Sequence, residues 1–273
     1  MMNRKAVIFG IKGYRLTIHE KSFLKKNKPW GIILFSRNIK DINQLKKLIL
    51  DIKKIFHDKN YPILIDQEGG TVSRLNKIID LKIFSQDFFA KLYDKNKKLF
   101  YIYYKIYVNS VSNILRDVGI NINTIPVLDV RRNYSNKIIG TRSFSNDPYK
   151  VSILGNICIN SYKQNKIGTV VKHIPGHGLS KADSHYKTPI INANRNELSK
   201  IDFIPFKKCK SPFAMTAHII YKKYDPFNTA THSKIIISQI IRKKIQFKGI
   251  LISDDISMKS LKFNLIENAK KAL

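Results

Sequence analysis

Between Lys172 and His185 the chain gathers Lys172, His173, His177, Asp183 and His185, broken by Pro175, Gly176 and Gly178. An imidazole with an unperturbed pKa of about 6.5 both donates and accepts protons near neutrality. Asp183 and His185 stand two residues apart, so the carboxylate can contact and orient the imidazole. A second acidic site is Asp254-Asp255, directly after the apolar run Ile250-Leu251-Ile252. Neighbouring strand residues point to opposite faces, so one of the two can face a pocket. Asp66, Arg74, Arg142 and Lys172 are groups that anchor sugar hydroxyls or a carboxylate by charge-assisted hydrogen bonds. A carboxylate and an imidazole on separate segments suit hydrolysis by acid–base or covalent catalysis. His173, His177, Asp183 and His185 also admit a metal-dependent hydrolase as a rival. Two observations weigh against it: there is no H-x-H in the first strand region, Ile8-Phe9-Gly10-Ile11, and no H-E-x-x-H anywhere.

Positioning these groups takes a framework of alternating elements. Consecutive apolar residues predict strands at 6–9, 31–35, 62–65, 122–128, 169–172, 213–217 and 249–252. Between them, apolar residues at three- and four-residue spacing predict helices, among them 42–56, 99–118, 149–165 and 233–245. Such strands separated by helices imply a parallel sheet covered on both faces. Polar residues close five of the strands: Asp66-Gln67-Glu68, Asp129, Lys172-His173, His218 and Ser253-Asp254-Asp255. A parallel barrel builds its active site from that rim, with groups drawn from several strands. A doubly wound sheet gathers its site at one switch point instead, and no G-x-G-x-x-G or Walker loop opens a helix here. The expectation is an α/β fold, a (β/α)8 TIM-type barrel with seven strand candidates and the eighth β/α unit missing. No Gly/Ser linker interrupts residues 1–273, which read as a single barrel domain.

Composition narrows the partners. Lys and Arg total 50 against 19 Asp and Glu, a formal net charge of +31. A nucleic-acid or anionic-membrane surface is one reading of such an excess. Here the lysines are spread along the whole chain beside abundant Ile and Asn, which suits a compositional bias, so no specific nucleic acid and no membrane is expected. Cys158 and Cys209 form no C-x-x-C pair, and the first apolar run is too short for a signal-peptide core or a membrane span. A cytoplasmic setting follows.

Six segments then resemble, in order, those of the bacterial β-N-acetylglucosaminidases of glycoside hydrolase family 3. The run Ile65-Asp66-Gln67-Glu68-Gly69-Gly70-Thr71-Val72-Ser73-Arg74 is similar to that family's D-Q-E-G-G-x-V-x-R segment. The others are Pro126-Val127-Leu128-Asp129-Val130, Gly140-Thr141-Arg142-Ser143-Phe144, Lys172-His173-Ile174-Pro175-Gly176-His177-Gly178 with Asp183-Ser184-His185, Ala217-His218-Ile219-Ile220-Tyr221, and Ser253-Asp254-Asp255-Ile256-Ser257-Met258. The resemblance implies retaining hydrolysis of terminal N-acetylglucosamine from cell-wall muropeptide fragments, in peptidoglycan recycling, with no cofactor. By the same resemblance Asp254 is the nucleophile and His185 the acid/base, oriented by Asp183. Asp66, Arg74, Arg142, Lys172 and His173 hold the sugar ring. The sequence departs from the family pattern at Gly10, Lys12 and Thr71. It also stops at Lys270-Lys271-Ala272-Leu273, where the family continues into an eighth strand and helix. A catalytically impaired relic with a basic anion-binding surface is therefore the alternative reading, and the metal-dependent barrel hydrolase is the third.

Overall fold

Ile63, Leu64 and Ile65 are buried at every position, as a strand must be when both faces of its sheet are covered. The computed structural model describes residues 4–132, 139–180, 188–207 and 209–273. Its strands are β1 (Lys5–Gly10), β2 (Pro29–Leu34), β3 (Ile63–Ile65), β4 (Ile122–Asn123), β5 (Gly168–Ile174), β6 (Ile190–Ile191), β7 (Phe213–Thr216), β8 (Ile220–Tyr221) and β9 (Ile250–Ser253). Seven of them form one sheet in the order β1-β2-β3-β4-β5-β7-β9, and every pairing in it is parallel. β6 and β8 pair separately. Each step round the sheet moves to the next strand in sequence, so there is no switch point, and the order is that of a (β/α) barrel wall. Among the described residues no pairing joins β1 to β9, and Ile250 of β9 is 58% exposed.

The helices are α1 (Ile18–Asn27), α2 (Ile42–Ile55), α3 (Gln86–Lys95), α4 (Lys97–Val118), α5 (Pro148–Gln164), α6 (Arg195–Lys200) and α7 (Leu265–Ala272). None is long and apolar enough to cross a membrane among the described residues. Their starts are written in side chains: Asp41, Asn96 and Asp147 accept amide hydrogen bonds at the heads of α2, α4 and α5. Thr17 and Glu20 cap α1 reciprocally. Alternate strand residues divide between two apolar layers. Ile63, Ile65 and Val171 join the large cluster under α2, α4 and α5, while Leu64, Val170 and Met215 meet Ile122 and Trp30 in a smaller inner cluster. That inner layer is the side-chain filling of a curled sheet.

Two elements depart from the sequence expectation. The run 122–128 pairs as β4 over two residues, because Pro126 has no amide to donate. Contact with β5 resumes at a bridge between Val127 and Lys172. The helix expected over 233–245 is π-helical over Ile236–Lys244.

Past the strand ends, side-chain amides replace the ladder. Asn123 accepts from the Gln67 amide and donates to its carbonyl, both at 2.9 Å. Gln86 serves Val127 the same way, at 2.8 and 3.0 Å. Gln67 Oε1 in turn takes the amides of Arg74 and Leu75 at 2.9 and 3.0 Å. These residues shape the loop that begins with Asp66. Asn123→Ala strands a buried amide and a buried carbonyl. We expect it to cost about 2–6 kcal/mol, at about 1–3 kcal/mol for each unpaired group, measured as a lower denaturant midpoint at unchanged slope.

Candidate active site

The C-terminal strand ends meet around Lys172, whose side chain is 3% exposed. Its ammonium donates to Asp66 Oδ1 at 3.1 Å and to the Thr124 hydroxyl oxygen at 3.1 Å, and pairs with Glu68 Oε1 at 2.7 Å. Thr124 donates to Asp66. Arg142 grips Glu68 with both Nε and a terminal nitrogen, each at 2.8 Å, a side-on geometry that holds a planar carboxylate well. Arg74 reaches Asp66 Oδ2 at 3.5 Å and leans over the Phe35 ring. Its Nε is buried with no hydrogen-bond partner among the described residues. Burial alone drives carboxylates up and ammoniums down; here the opposite charges win. The Glu68 carboxyl, raised by burial but lowered more by Arg142 and Lys172, is held down to about 2. Asp66 is likewise held well below the usual carboxylate range against burial, chiefly by Lys172, and Lys172 rises despite burial through Asp66 and Glu68.

His173 follows Lys172 and reaches the same mouth, although adjacent strand residues normally diverge. The β5–β7 register shifts between Lys172 and Ile174, an irregularity that re-aims a side chain. His173 Nδ1 lies 2.7 Å from Asp129 Oδ2, while Asp129 Oδ1 accepts the amides of His173 at 3.1 Å and His177 at 2.7 Å. Asp129 can only accept, so Nδ1 carries a hydrogen and the ring is held with Nε2 toward the mouth. The His177 ring stacks edge-on to His173 at 5.4 Å, and burial pulls its pKa down to about 4. It is neutral at pH 7 and buttresses its neighbour. The loop beneath needs Gly178: a Cβ there would lie 1.9 Å from the Val130 carbonyl oxygen. Tyr221 donates to the Gly176 carbonyl at 2.5 Å.

Asp254 follows β9. Its side chain is 26% exposed, and Oδ2 stands 4.0 Å from His173 Nε2. Oδ1 accepts the Asp255 amide at 2.8 Å. Burial pushes this carboxyl up, but the imidazoles of His173 and His218, the Asp255 amide and Lys172 outweigh it. The net shift is downward, so Asp254 is ionised at neutral pH. Asp255 is exposed, and its side chain accepts from Ser257. One acid of the pair thus faces the pocket and the other braces a turn.

Of the residues singled out in sequence, Asp66, Arg74, Arg142, Lys172, His173 and Asp254 come together at one mouth. Asp183 and His185 lie outside the described residues. Glu68, Thr124 and Asp129, which complete the charge cluster and orient His173, were not among the predicted site residues. Glu68 and Asp129 were nonetheless visible as acids directly after strands. Among the described residues no group of three or more His, Cys, Asp or Glu side chains is placed to hold a metal ion.

Residues 6–273 match the Glycosyl hydrolase family 3 N terminal domain. The chain belongs to glycosyl hydrolase family 3. It is a glycoside hydrolase on the family's barrel. Among family 3 relatives, it is 31% identical over 290 residues to the Beta-hexosaminidase of Nitrosospira multiformis, covering 100% of this chain and 78% of that one. It is 32% identical to the Beta-hexosaminidase of Glaesserella parasuis, covering 98% and 77%. Among solved structures, native NagZ from Neisseria gonorrhoeae superposes with a TM-score of 0.87 at 30% identity, covering 98% and 78%. The same protein in complex with N-trifluoroacetyl-D-glucosamine gives 0.85 at 30% identity, with the same coverage.

The depressed Glu68 pKa links the cluster to stability. A carboxylate at about 2 when folded and about 4.5 when unfolded contributes stability that is complete above pH 4.5. That contribution drains away as pH falls toward 2. Glu68→Gln removes it, leaving Arg142 and Lys172 short of a counter-charge. The variant is expected to be less stable at pH 7, and the gap between the two denaturation midpoints to narrow steadily from about pH 4.5 down.

Proposed function

We propose that this chain is a retaining exo-β-N-acetylglucosaminidase, which removes terminal non-reducing N-acetylglucosamine through a covalent intermediate on Asp254. The observation that carries the reading is the ionised Asp254 carboxylate, which faces the mouth lined by Asp66, Arg142, Lys172 and His173, 4.0 Å from the His173 ring. In the first step Asp254 attacks the anomeric carbon while the glycosidic C–O bond breaks. His185, oriented by Asp183, gives its proton to the leaving oxygen. In the second step His185 takes a proton from water, the resulting hydroxide attacks the same carbon, and the Asp254 carboxylate departs. A histidine serves where most such enzymes use a second carboxylate.

The chain leaves its described course at Ser180, beside the His177 turn, and resumes at Thr188. Thr188 donates to the Ser260 carbonyl at 2.6 Å, six residues after Asp254 in sequence. The described residues that bound the segment bearing Asp183 and His185 are thus tied to the His177 turn and to the stretch that follows Asp254, which supports the assigned roles. Asp66, Arg74, Arg142, Lys172 and His173 hold the ring hydroxyls; the buried Arg74 Nε still has a hydrogen bond to give. Sugar recognition also fits the relative from Neisseria gonorrhoeae, solved with N-trifluoroacetyl-D-glucosamine. We take the natural substrates to be muropeptide fragments in a cytoplasmic setting, a compartment consistent with free Cys158 and Cys209.

Asp254→Ala is expected to abolish release of the chromophore from an aryl N-acetyl-β-glucosaminide; full activity in that variant refutes the nucleophile. His185→Ala is expected to lose far less on an activated aryl leaving group than on a sugar leaving group, because good leaving groups need no proton. Turnover should be indifferent to chelators. Zero wild-type turnover beside intact sugar binding points instead to an impaired relic, a reading favoured by the exposure of β9, the strand that carries Asp254.

A further inference from the structure

The segment Ala217-His218-Ile219-Ile220-Tyr221 has one residue that the proposed chemistry leaves unused. His218 follows β7 and is 1% exposed. Its Nε2 lies 3.0 Å from the Asp255 carbonyl oxygen and its Nδ1 2.7 Å from Thr231 Oγ1. A carbonyl can only accept, so Nε2 carries the hydrogen and Nδ1 must be given one. Thr231 supplies it, and Thr231 Oγ1 is itself 2.9 Å from Thr216 Oγ1. Thr231 Oγ1 also lies 3.3 Å from the Ala217 carbonyl oxygen, a longer contact than the 2.7 Å to His218, so beside a neutral ring Thr231 donates to His218 and His218 donates to the Asp255 carbonyl. The ring is thus locked as one neutral tautomer, and burial favours that neutral form. With both nitrogens committed, His218 has no position from which to move a proton to or from a substrate.

We infer that His218 is a positioning residue that fixes the Asp254-Asp255 turn, and with it the attacking carboxylate, through the Asp255 carbonyl. The inference rests on Asp254 being the nucleophile. The geometry makes this tether consequential. β9 pairs with β7 from Phe213 opposite Ile250 to Thr216 opposite Ser253, and the ladder stops one residue short of Asp254. Beyond it the Asp255 carbonyl is held by His218 and the Ile256 carbonyl by Asn268 Nδ2 at 3.2 Å. A nucleophile about 1 Å out of place costs about a hundredfold in rate.

The test is the rate at which a 5-fluoro-N-acetylglucosaminyl fluoride labels the full chain covalently, followed by intact mass and located by peptide mass. It is run beside calorimetric binding of N-acetylglucosamine. Wild type, His218→Leu, His218→Gln and Thr231→Val are compared. His218→Leu is expected to label Asp254 about 10- to 100-fold more slowly than wild type, with sugar affinity within about twofold, because among the described residues the His218 hydrogen bonds go to Thr231 and Asp255 and to none of the sugar-holding groups. Gln has an amide N–H able to donate to the Asp255 carbonyl in place of Nε2 and is expected to recover most of the rate. Thr231→Val keeps the volume, removes the donor to Nδ1, and slows labelling in the same direction by less. Should the Leu variant not fold, the Gln and Val variants decide. Labelling of Asp254 at the wild-type rate in the variants that fold, or loss of rate and sugar affinity in equal measure, overturns the positioning role alone. No label on the wild-type chain, or label on another carboxylate, overturns the nucleophile assignment and the inference with it.

Discussion

Burying the Lys172 ammonium obliges the surrounding chain to bring carboxylates to it. An isolated charge taken out of water costs several kcal/mol, and a 3%-exposed lysine has almost none of that water left. Asp66 and Glu68 meet it from the end of β3, Thr124 from the end of β4, and Arg142 closes the cluster from the far side of Glu68. The strand ends that carry Asp66, Glu68, Thr124 and Lys172 are held at their height by the sheet register, so the charge network and the curl of the sheet fix one another. Removing any member leaves the others buried and short of a partner. A binding mouth built this way is rigid before any sugar arrives, which is what orientation of a reacting bond requires.

The second layer of the site is made of groups that bond backbone. Asn123 and Gln86 extend the ladder past the strand ends, Gln67 gathers the amides of its own loop, and Asp129 pins the His173 and His177 amides. None of these residues needs to touch substrate. They let irregular backbone stand where regular strand pairing has run out, and irregular backbone is where the reacting side chains sit.

Much of this was legible in the sequence because burial on both faces leaves a plain signature. Runs such as Ile63-Leu64-Ile65 admit few readings, and six of the seven sheet strands lie within two residues of their expected limits, 122–128 being the exception. The polar residues closing those strands identified Asp66, Lys172, His173 and Asp254, and the structure brings them to one mouth. What escaped was of two kinds. α1 has charged residues all round and one buried position, Leu24, so it has no apolar stripe to read; its Thr17 and Glu20 cap was the only signal. The β6–β8 pair is two residues on each side, too short for a period to show. Partnerships were the other kind. That Glu68 serves Arg142 and Lys172 while Asp129 serves His173 depends on which strand ends face each other, and a list of acids contains no distances.

One feature of the sheet bears on the whole site. β9 is laddered to β7 along one flank, and along the other, among the described residues, it meets no strand. Its outward amides exchange hydrogen with solvent more readily than those of β3 or β5, where a neighbour lies on each side. Like β1 at the other edge, the stretch that delivers Asp254 is thus laddered on one flank among the described residues, and a peptide or protein able to lie along that rim would stiffen it.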